Sequence, residues 1–357
     1  MNESEDTRPA GEAAGGETAA AAEMRPLDEA AMAAARERQA QLVKPPGSLG
    51  RLEELAIWLA GVTGDARPKV RARVVVAAAD HGVAAEGVSA FPAEVTGQML
   101  ATFLAGGGAV SVLAREVGAE LVCVDAGVNG DTSRLAVVHT GLKPSANLVH
   151  APALQPQQLE TALHTGRELA RRAAADGITV LIGGEMGIGN TTPATALACR
   201  LTGRTPGELT GPGTGLDAKG VTHKAATIER ALARSTATAP ADVLADLGGG
   251  EIAVLAGLAL GAGEHGLGYV CDGVIATAAA AVAAAIAPGL RPRLLAGHRS
   301  PEPAHAALLD HLGLTPVLDL GMRLGEASGA VTALAVLKLA AAAHDGMHTF
   351  EQAGVST

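Results

Sequence analysis

The segment 178–200 reads ITVLIGGEMGIGNTTPATALACR, and it decides the fold of this chain. A short run of β-branched and aliphatic residues passes into a glycine-rich loop, which passes into a helical pattern. The sequence predicts that Thr192 caps this helix and that Pro193 lies in its first turn, where no backbone N–H is needed. A glycine loop at a helix N-terminus offers free N–H groups and a positive dipole end. The segment therefore predicts a phosphate site.

Glu185 lies inside this predicted loop. A phosphate site has no electrostatic use for a carboxylate, because the two negative charges repel each other. The pattern therefore indicates that Glu185 acts on another part of a bound nucleotide.

The composition favours one large or two modest domains with a core of small aliphatic residues. Of the 357 residues, 48% are hydrophobic and 18% are charged, but only 1% are aromatic. The net charge of −10 disfavours a nucleic-acid partner, which requires a basic surface, and the scarcity of aromatic residues removes stacking platforms for single strands.

Cysteine usage and apolar runs predict a cytoplasmic protein without a membrane partner. The three cysteines are far apart and form no CxxC pair, which fits a reducing compartment. The N-terminus has no secretory pattern. The longest apolar run, 274–287, is mostly alanine and too short to span a bilayer comfortably, so it predicts a buried helix.

Beyond residue 23 the chain alternates between strand and helix patterns, whereas residues 1–23 are acidic, rich in Gly and Ala, and predict a disordered tail. The alternation predicts an α/β fold with a mostly parallel sheet. The predicted strands are 73–79, 121–126, 136–139, 179–183, 268–271 and 293–296. The predicted helices are 26–42, 51–59, 93–104, 109–117, 157–174, 193–201, 219–233, 252–260, 274–287, 303–312 and 326–344.

Polar or glycine residues follow several predicted strands, at 80–82, 125–127, 183–189, 272–273 and 297–300. In an open parallel sheet, ligands bind outside the carboxyl ends of the strands. We therefore expect the residues that carry chemistry to lie along that edge.

Further glycine motifs give weaker evidence for a ligand site. The segments 213–218 and 261–266 match a dinucleotide-binding pattern, but neither follows a strand and opens a helix, so NAD binding is not predicted. The loop 211–217 precedes a helix that contains Lys224, which could add a positive charge to a phosphate site. The alternative is a surface turn with a solvated lysine.

Histidines and acidic residues at 80–81, 297–305 and 344–348 suggest a metal site at first sight. No HExxH-type spacing supports one, so the sequence predicts no catalytic metal and no cofactor. The GxSxG motif of serine hydrolases is absent.

Glu326 stands within the segment 318–330, LDLGMRLGEASGA, where a helix is predicted to begin. One interpretation is a first-turn glutamate stabilised by the helix dipole. The other is a carboxylate that faces a ligand, since the neighbouring glycines and Leu324 permit a close approach.

Between about residue 44 and about residue 344, the chain resembles the nicotinate-nucleotide–dimethylbenzimidazole phosphoribosyltransferase family. Its ordered motifs carry this resemblance: KPPGSLGRLE at 44–53, ADHGV at 79–83, EVTGQM at 94–99, GEMGIGNTT at 184–192, GPGTG at 211–215, GHRSPEP at 297–303 and RLGE at 323–326. The acidic tail lies outside the family pattern. Residues 89–91 differ among relatives, which leaves the specificity for the base open.

The resemblance implies a Rossmann-like α/β domain over 66–315, with helices on both faces of the sheet. It implies a small helical domain from both chain ends, 24–65 with 316–350, and a homodimer. It also implies transfer of the phosphoribosyl group of nicotinate mononucleotide to dimethylbenzimidazole, giving α-ribazole 5′-phosphate and nicotinate in the assembly of the cobalamin nucleotide loop.

The resemblance assigns Glu326 as the catalytic base. The implied nucleotide and phosphate site comprises Glu185, Gly187, Ile188, Gly189, Asn190, Thr191, Gly213, Thr214, Gly215 and Lys224, and we expect the backbone N–H groups of Gly187, Gly189 and Gly213 to reach the phosphate. The implied base site comprises Phe91, Gln98, Met99 and Leu324. Which of Gln98 and Met99 faces the base stays open.

Three other functions remain as alternatives. The same transfer could use another base, such as adenine or a phenol. A non-catalytic nucleotide-binding module is a second alternative, because a fold does not fix a function. A dehydrogenase is the most distant.

Overall fold

The structure, a computed structural model, describes residues 23–356. Its centre is a parallel sheet of six strands in the order β3-β2-β1-β4-β5-β6. The winding changes direction between β1 and β4, which opens a crevice at the carboxyl ends of these strands. The predicted α/β fold with a parallel sheet is confirmed. The strands are β1 Ala72–Ala78, β2 Glu120–Asp125, β3 Val138–His139, β4 Val180–Met186, β5 Gly268–Cys271 and β6 Leu294–Ala296.

Helices cover both faces of the sheet, because side chains along each strand alternate between the faces. In β1, Val75 and Ala77 join the core beneath α5, α6, α10 and α11, whereas Val74 and Val76 join a second core beneath α2, α3, α4 and α13. The helices are α1 Glu29–Gln41, α2 Arg51–Thr63, α3 Val95–Leu104, α4 Ala109–Glu116, α5 Pro156–Ala175, α6 Thr191–Thr202, α7 Pro206–Leu209, α8 Ala218–Arg234, α9 Pro240–Leu247, α10 Gly250–His265, α11 Val274–Ile286, α12 Pro303–Leu312, α13 Ser328–Gly346 and α14 Phe350–Ala353.

Small residues let α5 and α10 pack with their backbones in contact. A Cβ atom added at Gly166 of α5 would collide with the backbone of α10, and one added at Gly257 would collide with the backbone of α5. This close approach explains how a chain with few aromatic residues fills its core. The weak dinucleotide match at 261–266 lies at the end of α10, not at a strand-to-helix turn.

Helices from both chain ends pack on the sheet. Leu55 and Leu59 of α2 and Leu334 of α13 belong to the same buried cluster as Val76 of β1. The division into domains at residues 66 and 316 stays a prediction. The predicted disordered tail lies outside the described residues except for Glu23, which is exposed.

The structure corrects several element boundaries. β4 extends to Met186, because its ladder with β1 continues to the pair Ala78 and Met186. Glu185 therefore lies in a strand, and its predicted place in the loop is wrong. The helix predicted at 326–344 begins at Ser328, so Glu326 precedes it. The short helices α7, α9 and α14 were not predicted, because helices of four to eight residues show too little periodicity.

By length and composition alone, one helical stretch among the described residues, Val95–Glu116, could cross a membrane. In the fold this stretch is divided into α3 and α4 by a turn at residues 105–108. Buried core helices of globular proteins also meet this criterion of length and composition. The apolar run at 274–287 forms α11, which is buried in the core as predicted.

Candidate active site

A cavity of about 420 Å³ opens at the carboxyl edge of the sheet, between the ends of β4, β5 and β6. It is lined by Phe91, Val95, Met99, Glu185, Met186, Gly187, Ile188, Asn190, Thr191, Gly213, Thr214, Gly273, Val274, Ile275, His298, Ser300, Glu302, Arg323, Leu324, Gly325 and Glu326. A second cavity of about 500 Å³ lies near Thr179, at the amino end of β4. We assign the site to the first cavity, because ligands bind at carboxyl ends of parallel strands.

The glycine loop after β4 forms one end of this cavity. Gly189 has a φ of +87°, a conformation that side chains disfavour, and a Cβ at Gly187 would lie 2.6 Å from Ala79 O. The Ile188 N–H donates to Thr96 Oγ1 at 3.1 Å. The N–H groups of Gly189 and Thr191 have no acceptor among residues 23–356, so they are free to bind an anion.

The helix start differs from its prediction. α6 begins at Thr191, with Asn190 as the residue before it, and no side chain caps its N-terminus. Thr192 is a buried helical residue, so its predicted role as the cap is wrong. Pro193 is the third residue of the helix, and its predicted place in the first turn is confirmed. The uncapped end leaves its amides and its dipole available to a ligand.

Lys224 joins the two glycine loops. Its side chain is fully buried, and Nζ donates to Thr191 Oγ1 at 2.6 Å and reaches Gly211 O at 3.5 Å. Burial lowers the Lys224 pKa to about 8, while the charge of Glu302 opposes the shift. The alternative of a solvated lysine is therefore wrong. Lys224 lies just outside the cavity wall, behind Thr191 and Gly213.

The second glycine loop is only partly available to a ligand. The Gly213 N–H donates to Glu302 Oε1 at 2.9 Å, and the Gly215 N–H donates to Pro212 O at 3.1 Å. We expected the Gly213 N–H to reach the phosphate; in this structure it is engaged by Glu302, and its contact with a phosphate stays a prediction. Gly213 and Thr214 line the cavity, whereas Gly215 does not. Gly213 instead fixes the loop through Glu302 and a φ of +54°.

Glu326 also lines the cavity and lies on a strained turn. Glu326 and Ala327 have φ values of +62° and +69°, and they are the only non-glycine residues of the described chain with positive φ. The turn lies directly over β4, because a Cβ at Gly184 would lie 2.6 Å from Ala327 Cβ. The Ser328 hydroxyl holds the turn by donating to Gly325 O at 2.7 Å.

The Glu326 carboxyl group is buried, with one oxygen unpaired. Its residue exposure is 6%, and Oε2 has no hydrogen-bond partner in the described part of the chain. Burial raises the Glu326 pKa, the charge of Asp272 adds to this shift, and the Val110 backbone opposes it. Glu326 lines the cavity, and an unpaired carboxyl oxygen can accept a proton from a ligand.

Glu185 is the neighbour of Glu326 across Gly325. A Cβ at Gly325 would lie 2.5 Å from Glu185 Oε1, and Asn190 Nδ2 donates to Glu185 Oε2 at 2.5 Å. Burial raises the Glu185 pKa to about 8, with additions from the charges of Glu251, Asp272 and Glu326. Glu185 therefore holds its proton at neutral pH and can donate a hydrogen bond.

Apolar side chains surround the cavity mouth. Phe91, Met99 and Leu324 line the cavity, and Phe91 and Leu324 are more than half exposed. Gln98 is exposed on α3 and does not line the cavity. The sequence left open whether Gln98 or Met99 faces the base. The structure places Met99 against the cavity.

Several lining residues were not predicted as site residues. They are His298, Ser300, Glu302 and Arg323. Asp272 adjoins His298, and the buried pair His81 and Glu251, whose Nε2 and Oε1 atoms are 2.8 Å apart, lies beside Gly187 of the glycine loop. Polar residues after β5 and β6 marked the correct edge, but spacing alone could not show which side chains face the cavity. No group of three or more His, Cys, Asp or Glu side chains within residues 23–356 is arranged to hold a metal ion.

Comparisons with known proteins identify the family of this chain. A family profile described as phosphoribosyltransferase matches residues 24–355. Nicotinate-nucleotide–dimethylbenzimidazole phosphoribosyltransferases from Chromobacterium violaceum and Pseudomonas fluorescens are 49% and 50% identical, over 93% and 92% of this chain and 98% and 95% of theirs. The crystal structure of CobT from Thermus thermophilus matches with a TM-score of 0.87 and 47% identity, over 92% of this chain and 99% of that one.

The chain belongs to the nicotinate-nucleotide–dimethylbenzimidazole phosphoribosyltransferase family. The resemblance predicted from the sequence motifs is thereby confirmed. In this member of the phosphoribosyltransferase family, the motifs at 184–192, 211–215, 297–303 and 323–326 meet around one cavity, although they are far apart in the sequence.

Proposed function

We propose that this enzyme transfers the phosphoribosyl group of nicotinate mononucleotide to dimethylbenzimidazole, giving α-ribazole 5′-phosphate and nicotinate. One observation carries the proposal. A single cavity is lined both by the glycine loop that Lys224 backs and by Glu326, whose Oε2 is unpaired. This arrangement suits a substrate with a phosphate at one end and a reacting carbon near the other.

The phosphate of the nucleotide binds at the N-terminus of α6. The free amides of Gly189 and Thr191 donate to its oxygens, and the helix dipole and the Lys224 ammonium stabilise its charge. The substrate has one phosphate and no pyrophosphate, so a backbone cradle and one cation suffice without a metal ion.

The reaction replaces one C1′–N bond with another. The bond between the ribose C1′ and the pyridinium nitrogen breaks, and its electrons go to the ring, which leaves as nicotinate with a neutral nitrogen. No acid is required for this step. Positive charge builds on the ribose and is stabilised by the negative Glu326 carboxylate.

The incoming base attacks C1′ through one imidazole nitrogen, and its other nitrogen must lose a proton. Glu326 Oε2 accepts this proton. Attack occurs on the face opposite to the leaving group, so a β-nucleotide gives an α-nucleotide. The apolar side chains of Phe91, Met99 and Leu324 contact the benzimidazole rings and exclude water.

Glu185 supports the same centre in its protonated form. A protonated Glu185 avoids a second buried negative charge beside Glu326 and offers a hydrogen-bond donor to the ribose or to Glu326.

We further propose that the protein acts as a homodimer in the cytoplasm, without a cofactor, a membrane partner or a nucleic-acid partner.

The test is mass spectrometry of the products after incubation with nicotinate mononucleotide and a panel of bases. We expect an α-ribazole 5′-phosphate product with dimethylbenzimidazole and release of one nicotinate per product. A faster reaction with adenine or a phenol would assign another base to the same transfer. Nucleotide binding without any product would support the binding-module alternative and reject the proposal.

A further inference from the structure

We propose that His298 binds a hydroxyl group of the nucleotide's ribose through its Nδ1 atom and thereby positions C1′ for attack. This inference rests on the proposed function and extends it to a residue that the sequence did not assign. It starts from an unpaired buried group. His298 is 2% exposed and lines the cavity, and Nδ1 has no partner among the described residues.

The orientation of the ring is set by α13 and by Asp272. A Cβ at Gly329 would collide with Cγ, Cδ2 and Nε2 of His298, so this edge of the ring lies against the start of α13. Nε2 lies 3.6 Å from Asp272 Oδ1, which itself accepts the Ala330 N–H at 2.8 Å. The ring edge that faces away from α13 therefore carries Nδ1.

The nearby Asp272 oxygen favours one tautomer of the imidazole through its charge. A proton on Nε2 is stabilised by the nearby Asp272 oxygen, and Nδ1 then keeps its lone pair. A buried acceptor without a donor costs free energy, and native structures rarely leave one unpaired. The group that completes the site must therefore offer a hydrogen to Nδ1.

The charges of the surrounding groups favour a neutral hydroxyl as this donor. Asp272 adjoins His298, and Glu185 and Glu326 line the same cavity, so that acidic groups surround His298. A phosphate or a carboxylate would be repelled there, whereas the positive charge that develops at C1′ would be stabilised. Of the substrate's parts, only the ribose is both neutral and rich in O–H donors.

The neighbours of His298 agree with this assignment. Glu302, four residues after His298 in the chain, lies near the proposed phosphate site, because it accepts the Gly213 N–H at 2.9 Å. Gly329, against which the His298 ring lies, comes three residues after Glu326. In the nucleotide, the ribose likewise connects the phosphate with its own reacting carbon, C1′.

The test compares nicotinate mononucleotide with its 2′-deoxy and 3′-deoxy analogues on the wild-type enzyme and on His298→Ala. We expect one of the two analogues to lose roughly 10- to 100-fold in kcat/KM with the wild-type enzyme. His298→Ala should lose a similar factor with the intact nucleotide, but should not discriminate against that analogue. The KM for dimethylbenzimidazole should change little.

Two further variants separate binding from packing. His298→Asn places an amide near the position of Nδ1 and should recover part of the discrimination. His305 is the matched control, because its ring centroid lies 5.9 Å from that of His298 while its nitrogens are engaged by Ser300 N and Thr277 Oγ1. His305→Asn should keep the full discrimination between the nucleotides, whatever its effect on the melting temperature.

Two results would overturn the inference: equal kcat/KM of the wild-type enzyme for all three nucleotides, or an equal loss for all three in His298→Ala. A wild-type enzyme with no turnover of the intact nucleotide would instead reject the proposed function. Calorimetric affinities of the same three nucleotides would then supply the comparison, with the same expected pattern.

Discussion

The Lys224 ammonium nitrogen lies 2.6 Å from Thr191 Oγ1, and this contact connects α8 with the first residue of α6. Neither residue is near the other in sequence. The contact places a buried positive charge directly behind the uncapped N-terminus of α6, where the charge and the helix dipole act on the same anion.

Replacing Lys224 should weaken nucleotide binding specifically. We expect Lys224→Met to raise the KM for nicotinate mononucleotide by roughly 10- to 100-fold, because a charge-assisted hydrogen bond network is lost. The KM for the base should change little. Lys219→Met, on the exposed side of the same helix, is the matched control and should behave as wild type. If Lys224→Met raised the KM for nicotinate riboside, which has no phosphate, by the same factor, the assignment of Lys224 to the phosphate would be contradicted.

The pH dependence of nucleotide binding should report Lys224. Its pKa of about 8 in the free enzyme means that the ammonium loses its proton as the pH rises through 8. Affinity for the nucleotide should therefore fall above this pH, and the bound phosphate should raise the pKa in the complex. Isothermal titration calorimetry between pH 6 and pH 10 measures both effects. A constant affinity across this range would show that Lys224 does not act on the phosphate.

Replacing Glu326 should remove turnover while binding is kept. We expect Glu326→Gln to lower kcat by ~10²–10⁴-fold, or about 3–5 kcal/mol of barrier, since an amide cannot take the proton from the base. Because burial raises the Glu326 pKa, kcat/KM of the wild-type enzyme should fall at acidic pH through a pKa above 4.5. Near-normal turnover by a folded Glu326→Gln enzyme would reject its role as the base.

The backbone at Gly189 should tolerate no side chain. Gly189→Val should raise the KM for the nucleotide far more than that for the base, because a φ of +87° is strained for valine and relaxation would displace the phosphate-binding amides. Gly203→Val is the matched control. Gly203 ends the same helix with a φ of +71° and no atom within 4 Å of its Cβ position, so it tests backbone strain away from the site. Equal kinetic effects of both variants would indicate general misfolding.

Activity should survive removal of metal ions. We expect full turnover after exhaustive dialysis against a chelator, because the proposed mechanism uses backbone amides and Lys224 where other enzymes use a metal. Activity that is lost and then restored by zinc or magnesium would contradict this expectation. Attention would then turn to Asp80, His81 and His298.

The sequence by itself determined the α/β class, most element positions and the family. Alternating apolar runs and helical periods are local properties, and the glycine loop before α6 is a local motif, so both can be read without a structure. The motif residues Glu185, Gly187, Asn190 and Glu326 all line one cavity, as the resemblance implied.

Only the tertiary structure decided which groups are buried, paired or free. Local patterns placed Glu185 in a loop, allowed Lys224 to be solvated and left the Gly213 amide free. In the fold, the ladder between β1 and β4 incorporates Glu185, helix packing buries Lys224, and Glu302 takes the Gly213 amide. Each outcome depends on residues distant in sequence. Burial, hydrogen bonding and pKa are properties of the assembled neighbourhood, and no local pattern contains them.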